Sequence, residues 1–204
     1  MTPARVVDVS GLPPYEISNQ SLLWCGQALM CVIEGSVFCI LIAVYFYARL
    51  SVDVWPPPGT QLPDVVLPSF ALIPLIASCA GSYWASEAAK KASRGGMITG
   101  LVLNLALAIV FLCMRAVEWR SFTFTWSSDV HGSIVWTILF VHTLDVVADL
   151  LMTAVLAVIV ISGRYGEKQR LGVHVDSVIW YFLVGIWLPL YAVVYWGPRL
   201  VGAH

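Results

Sequence analysis

Three ionisable residues share one stripe of an apolar run. His142, Asp145 and Asp149 stand at i, i+3 and i+7 in GSIVWTILFVHTLDVVADLLMTAVLAVIVISGR. On a helix they fall within roughly 60° of one another. An imidazole and two carboxylates can pass protons, orient water or bond to a neighbouring helix. They suit a metal poorly, because a facial triad needs two His and a hard-cation site needs more oxygens. Packing or partner contact is the plainer expectation, and a proton or water relay the sharper one. A further acid, Glu34, is the sole charge between Leu22 and Ala48 in LLWCGQALMCVIEGSVFCILIAVYFYARL. An acid at the centre of a spanning helix costs about 2.5–3.5 kcal/mol on insertion scales. Gln27, Glu34, Leu41 and Tyr45 fall on one face, so that face should turn toward protein, water or lipid head group. Glu34 is expected to look toward the His142 run, either as a proton site or as a hydrogen-bonded group that fixes packing.

Other polar residues are placed at or near the ends of apolar runs. Asn104 is an amide inside the third run and is expected to bond across to another helix. Arg115 and Glu118 form an i, i+3 pair, read as an ion pair at the membrane interface. Arg164 closes the fourth run and can meet a lipid phosphate or complement the helix C-terminus. His174 and Asp176 open the fifth, with Asp176 as a candidate N-cap. The five cysteines lie in apolar runs without CxxC spacing and read as small apolar residues. The four histidines include no i, i+4 pair. No haem, copper or zinc site is therefore expected in this chain.

The elements that must hold these groups are membrane helices. Of 204 residues, 59% are hydrophobic and 11% charged, and mean hydropathy is +0.83. That is not a soluble composition, and a net charge of −1 gives no reason to expect a nucleic-acid partner. The pattern predicts an all-α polytopic protein. A polar tail, residues 1–21, precedes one five-helix domain, 22–204, with spans at about 22–49, 66–86, 97–117, 134–162 and 177–197. The breaks are SVDVWPPPGTQLPD, SEAAKKASRGG, RAVEWRSFTFTWSSDVHGS and GRYGEKQRLGVHVD. Pro74 predicts a kink in the second span, and Pro189 a bend near Gly185. The tail, with Arg5, Asp8, Glu16 and a Pro-Pro pair, is neither a signal nor a transit peptide. Arg5, Lys90, Lys91, Arg94, Arg164, Lys168 and Arg170 share one side, against Arg49, Arg115, Arg120 and Arg199 on the other. The positive-inside rule then puts the N-terminus in the cytoplasm and the C-terminus outside. Trp24, Trp55, Trp84, Trp119, Trp126 and Trp196 read as an interfacial belt.

The order of these features resembles subunit III of the haem-copper oxidases, the cytochrome c and quinol oxidases. The resemblance covers nearly the whole chain after about residue 20. It rests on Glu34 followed by YFYARL, on the WPPPG loop, and on LIASCAGSYWASEAAKKASRGG. It rests also on MRAVEW with Glu118 at the family's Glu, on DVHGS, and on WYFLVGIWLPLYAVVYWG. There are departures. The family's His-Gly-x-His-Val reads HTLDV here, so His142 matches the first His and Asp145 replaces the second. Tyr181 and Val184 stand at the family's His and Asp, and His174 falls at its Glu, unless a two-residue shift puts Asp176 there. A His-to-Asp and a Glu-to-His change together suggest a swapped Asp145–His174 pair.

The resemblance implies a redox-inactive subunit that packs on catalytic subunit I and other respiratory-complex subunits. It implies phospholipid bound in a cleft, and support of proton uptake and turnover stability. Haem and copper would belong to partner subunits, and the location would be a bacterial inner membrane. The five-span form is similar to quinol oxidase and short bacterial members. The alternatives are an accessory subunit of a nitric oxide reductase-type complex, or a small proton or ion transporter using Glu34 and the His142 stripe.

Overall fold

A computed structural model describes residues 21–164 and 166–201. The charged tail with Arg5, Asp8 and Glu16, and His204 at the other end, lie outside the described residues. The chain forms α1 (Leu22–Leu50), α2 (Val66–Lys90), α3 (Arg94–Ser121), α4 (Val130–Ile161) and α5 (Glu167–Tyr191). A π-helical turn, Ala192–Trp196, and a short α6, Gly197–Val201, follow without a break. All five long helices are long and apolar enough to cross a membrane. The all-α, five-span expectation is met, and the chain is a multi-pass membrane protein.

The helix starts follow capping chemistry. Ser21 accepts from the Trp24 amide at 3.2 Å, Ser93 from Gly96 at 3.4 Å, and Asp129 from Gly132 at 2.6 Å. Several helices begin sooner or end later than their apolar windows, because hydropathy marks only the part that lies in lipid. The difference is largest at α5, which begins at Glu167 rather than near 177. Its first turns are amphipathic, with Leu171, Val173 and Val175 buried while Glu167 and Lys168 are exposed. Asp176 therefore lies well inside α5 and is not its N-cap, which is Gly166.

Pro189 lacks the amide that would bond the Gly185 carbonyl, yet the helix runs on through both residues. The irregularity falls one turn later, in the π-helical turn, which carries Val194 and Tyr195 into the core. Of the predicted tryptophan belt, Trp84, Trp126 and Trp196 are exposed, but Trp55 is buried against Tyr45.

Helix α5 is central and packs on α1, α2 and α4, while α1 packs on α4 and α5. Helices α2 and α3 make the closest backbone approach. A Cβ on Gly100 would come 2.4 Å from the Ala85 amide nitrogen, and one on Gly81 would come 2.7 Å from that of Asn104. Small residues at such spacing replace the hydrophobic effect as the cause of helix association in lipid. The core has two parts. One is aromatic, built around Phe38, Tyr45, Phe111, Trp180, Trp187 and Tyr195. The other, near the α2–α3 and α4–α5 turns, is built from Ala85, Ala88, Ala89, Met97, Ala157 and Val173.

Candidate functional site

Two groups of ionisable residues sit inside the bundle, and they differ in sign balance. The first is on α3. Arg115 Nη1 donates to Glu118 Oε2 at 2.7 Å and to Tyr195 Oη at 3.0 Å. The Tyr195 hydroxyl in turn donates to Glu118 Oε1. The guanidinium lies 4.2 Å from the Trp187 ring centroid and 5.2 Å from that of Phe111. Arg115 and Glu118 are each only 2% exposed. The expected ion pair is present, but its expected place at a lipid or subunit interface is wrong. Helix α3 continues past it, and the π-helical turn folds Tyr195 over it, so protein encloses the pair.

His142 is fully buried next to this group. Its ring stacks on Trp187 with centroids 4.4 Å apart, and the edges of Phe38 and Phe111 complete the surround. Nε2 stands 3.2 Å from the Leu183 carbonyl. A carbonyl only accepts, so Nε2 carries the proton and Nδ1 is the bare acceptor. His142 is thus built into the aromatic core, apart from the acids with which it shares a stripe.

The second group gathers α1, α4 and α5. Glu34 and Asp145 are half-buried and lie within electrostatic range of each other. Asp149 is 8% exposed and lies within range of both Glu34 and Asp176. Thr153, one turn beyond Asp149, donates to Asp176 Oδ2 at 2.9 Å. Asp176 therefore bridges α5 to α4, and it is half-buried. Asp149 Oδ2 has no hydrogen-bond partner among the described residues. Gln27 is half-buried on the Glu34 face, nearer the start of α1.

His174 is buried, with Nδ1 2.7 Å from the Ser86 hydroxyl of α2. Only 8% of it is left exposed. It also does not pair with Asp145. The His142–Leu183 and Thr153–Asp176 contacts fix the antiparallel register of α4 and α5. In that register Asp145 and His174 are offset by roughly 9–15 Å along the bundle at 1.5 Å per residue, beyond a single water bridge. The proposed swap fails on that geometry.

Asn104 is buried, but its amide has no partner among the described residues, so the expected bond across helices is absent. The glycine contact at Gly81 brings the α2 and α3 backbones together at this level. Arg164 is exposed. The α4 C-terminus is served by Arg94, which donates to Val160 O at 3.2 Å and Ile161 O at 2.6 Å. Arg170 does the same for α2 through Ala89 O at 2.8 Å and Lys90 O at 3.2 Å. Both satisfy orphan carbonyls where the helix dipole favours a cation. Arg94 was legible only as part of a basic loop. Tyr195, Thr153 and Ser86 carried no sequence signal that tied them to these sites.

Among the described residues no group of three or more His, Cys, Asp or Glu is placed to hold a metal ion. The family model for cytochrome c oxidase subunit III matches residues 15–198. The chain is 30% identical over 177 residues to cytochrome c oxidase subunit 3 of Vanderwaltozyma polyspora, covering 84% of this chain and 66% of that one. It is 27% identical over 197 residues to the same-named protein of Mycosarcoma maydis, covering 94% and 72%. With that of Synechocystis the identity is 26% over 173 residues, covering 83% and 73%. The chain thus spans just under two thirds of the first relative's length.

Proposed function

This chain belongs to the cytochrome c oxidase subunit III family, and on that premise we propose that it is the non-catalytic subunit III of a haem-copper terminal oxidase in aerobic respiration. In this reading it stabilises the catalytic subunit and supports proton uptake, while haem and copper are held by partner subunits. The observation that carries the reading is the family match over residues 15–198, which takes in all five long helices. Subunit I and the other respiratory-complex subunits are the proposed protein partners. The apolar outer surfaces of the helices, with Leu22, Leu29, Phe70, Leu151 and Val158 exposed, suit lipid or partner helices alike. Exposed Arg164 and Lys168, at the basic end, are suited to phospholipid phosphates.

We place the chain in a bacterial inner membrane, N-terminus cytoplasmic and C-terminus outside. The side bearing Lys90, Lys91, Arg94, Arg164, Lys168 and Arg170 is the more basic. Burial of Arg115 takes it out of the opposite loop and enlarges that asymmetry.

The test is purification. The tagged chain, extracted in mild detergent, should bring with it a complex whose reduced-minus-oxidised absorbance reports haem and which reduces oxygen. Isolation alone, as a stable homo-oligomer that conducts protons in liposomes, overturns the reading in favour of a transporter. Co-purification with nitric oxide reduction and no oxygen reduction overturns it in favour of an accessory subunit of that complex.

A further inference from the structure

We propose that Asp149 is a proton-holding site inside the bundle, with Asp176 as its anionic neighbour and Glu34 as its exchange partner toward the membrane face. The inference goes beyond the family reading and stands whichever complex the chain joins.

The distribution of hydrogen-bond donors assigns the protonation states. An ionised carboxylate only accepts, and a protonated one brings its own donor. Asp176 has a donor supplied, the Thr153 hydroxyl at 2.9 Å. Asp149 is 8% exposed, and its Oδ2 meets no donor among the described residues. The groups that face Asp149 are Asp176 from α5 and Glu34 and Cys31 from α1, and none of these is a cation. A buried carboxylate with one oxygen left without a donor and no cation among the groups that face it is the costlier form, and neighbouring anions add to that cost. A proton on Asp149 removes the charge and supplies the missing donor.

The position of Glu34 gives the site a way to fill and empty. It is half-buried, so it is reachable from outside the bundle, and it lies in range of Asp149. Exchange needs one proton delivered to the Glu34 carboxylate at the membrane face and its passage to the Asp149 carboxylate. No bond other than O–H is made or broken. Fully buried His142 is bound elsewhere, through Leu183 and Trp187, and takes no part.

The experiment uses the intact complex containing this chain, in lipid nanodiscs, with infrared spectra of wild type and variants in H2O and D2O. Wild type minus Asp149→Asn should show the loss of one protonated-carboxyl C=O band at neutral pH, moving to lower frequency in D2O. Asp176→Asn should remove a carboxylate band instead. Glu34→Gln should keep the Asp149 band but slow its deuteration by at least about tenfold. If Asp149→Asn removes only carboxylate bands, Asp149 is ionised and the proposal is overturned. Failure of that variant to assemble overturns it too, because an amide reproduces the shape and charge of the neutral acid. Unchanged deuteration in Glu34→Gln overturns the role given to Glu34.

Discussion

The Arg115 group and the Asp149 group meet the same problem, a carboxyl group taken out of water, with opposite chemistry. Glu118 is matched by a cation and a phenol: Arg115 Nη1 reaches both Glu118 and Tyr195, and Tyr195 closes the triangle. The aromatic faces of Trp187 and Phe111 complete the surround of the guanidinium. The α1–α4–α5 group holds Glu34, Asp145, Asp149 and Asp176, and among the described residues its one side-chain donor is the Thr153 hydroxyl. A matched pair is fixed in charge, since removing either partner strands the other. An unmatched set of acids can be kept in lipid only by protons, and protons come and go. The difference separates a structural lock from a group that responds to its surroundings.

The comparison is broken most severely at Arg115. Arg115→Met should leave Glu118 buried with Tyr195 as its sole donor and destabilise the folded subunit by about 3–5 kcal/mol. Replacing both charges, as in Arg115→Met with Glu118→Leu, should recover most of that loss, because no stranded charge remains. Thermal unfolding of the complex in nanodiscs, followed by release of this chain, measures both. If the single and double variants lose equally, the pair is not a coupled unit and the contrast collapses.

A smaller effect is expected at Thr153. Thr153→Val keeps the shape but removes the donor to Asp176, at a cost of about 1.5–3 kcal/mol for a bond to a charged group. Thr153→Ser, which restores a hydroxyl, should recover most of it. No loss in Thr153→Val would mean that Asp176 is not held as an anion. Smaller still is Asp149→Asn, expected within about 0.5 kcal/mol of wild type in the same unfolding assay. A loss as large as that of Arg115→Met would show that the second group, too, is a fixed-charge lock.

Much of this contrast was legible in the sequence, but unevenly. The stripe of His142, Asp145 and Asp149 and the face of Glu34 follow from helical period alone, which acts within one element. The same period gave the Arg115–Glu118 pair. It could not give the burial of that pair, which depends on Tyr195, 80 residues away from Arg115 and delivered by a π-helical turn. Period also misled where it grouped His142 with the two aspartates. Residues seven apart share an angle but not a level, and the level decides which partner helix residue they meet. Asp176 looks like a cap only if α5 begins where its apolar run begins. Its charged first turns extend beyond the apolar window, which hydropathy cannot register. The α2–α3 contact lay in the small residues from Ser78 to Gly100, yet only the backbone approach shows that Asn104 is left without a bond.

The smallest effect on stability, and the sharpest test of the contrast, lies at Glu34. It is half-buried and makes no charge pair among the described residues, and Glu34→Gln keeps its size and polarity. Unfolding should therefore shift by no more than about 0.5 kcal/mol, and the assembled complex should form in wild-type amount. What should change is proton traffic. A glutamine at this position cannot take up or release a proton, so any function that draws on the α1–α4–α5 acids loses its outward contact. Steady-state proton uptake by the purified complex, or its decay over repeated turnovers, should fall in Glu34→Gln while assembly does not. The Arg115→Met variant should show the reverse, a failure of assembly with normal turnover in whatever fraction assembles. Should both variants fail in the same way, by loss of the subunit, the two groups would be doing one structural job and the division drawn between them would be wrong.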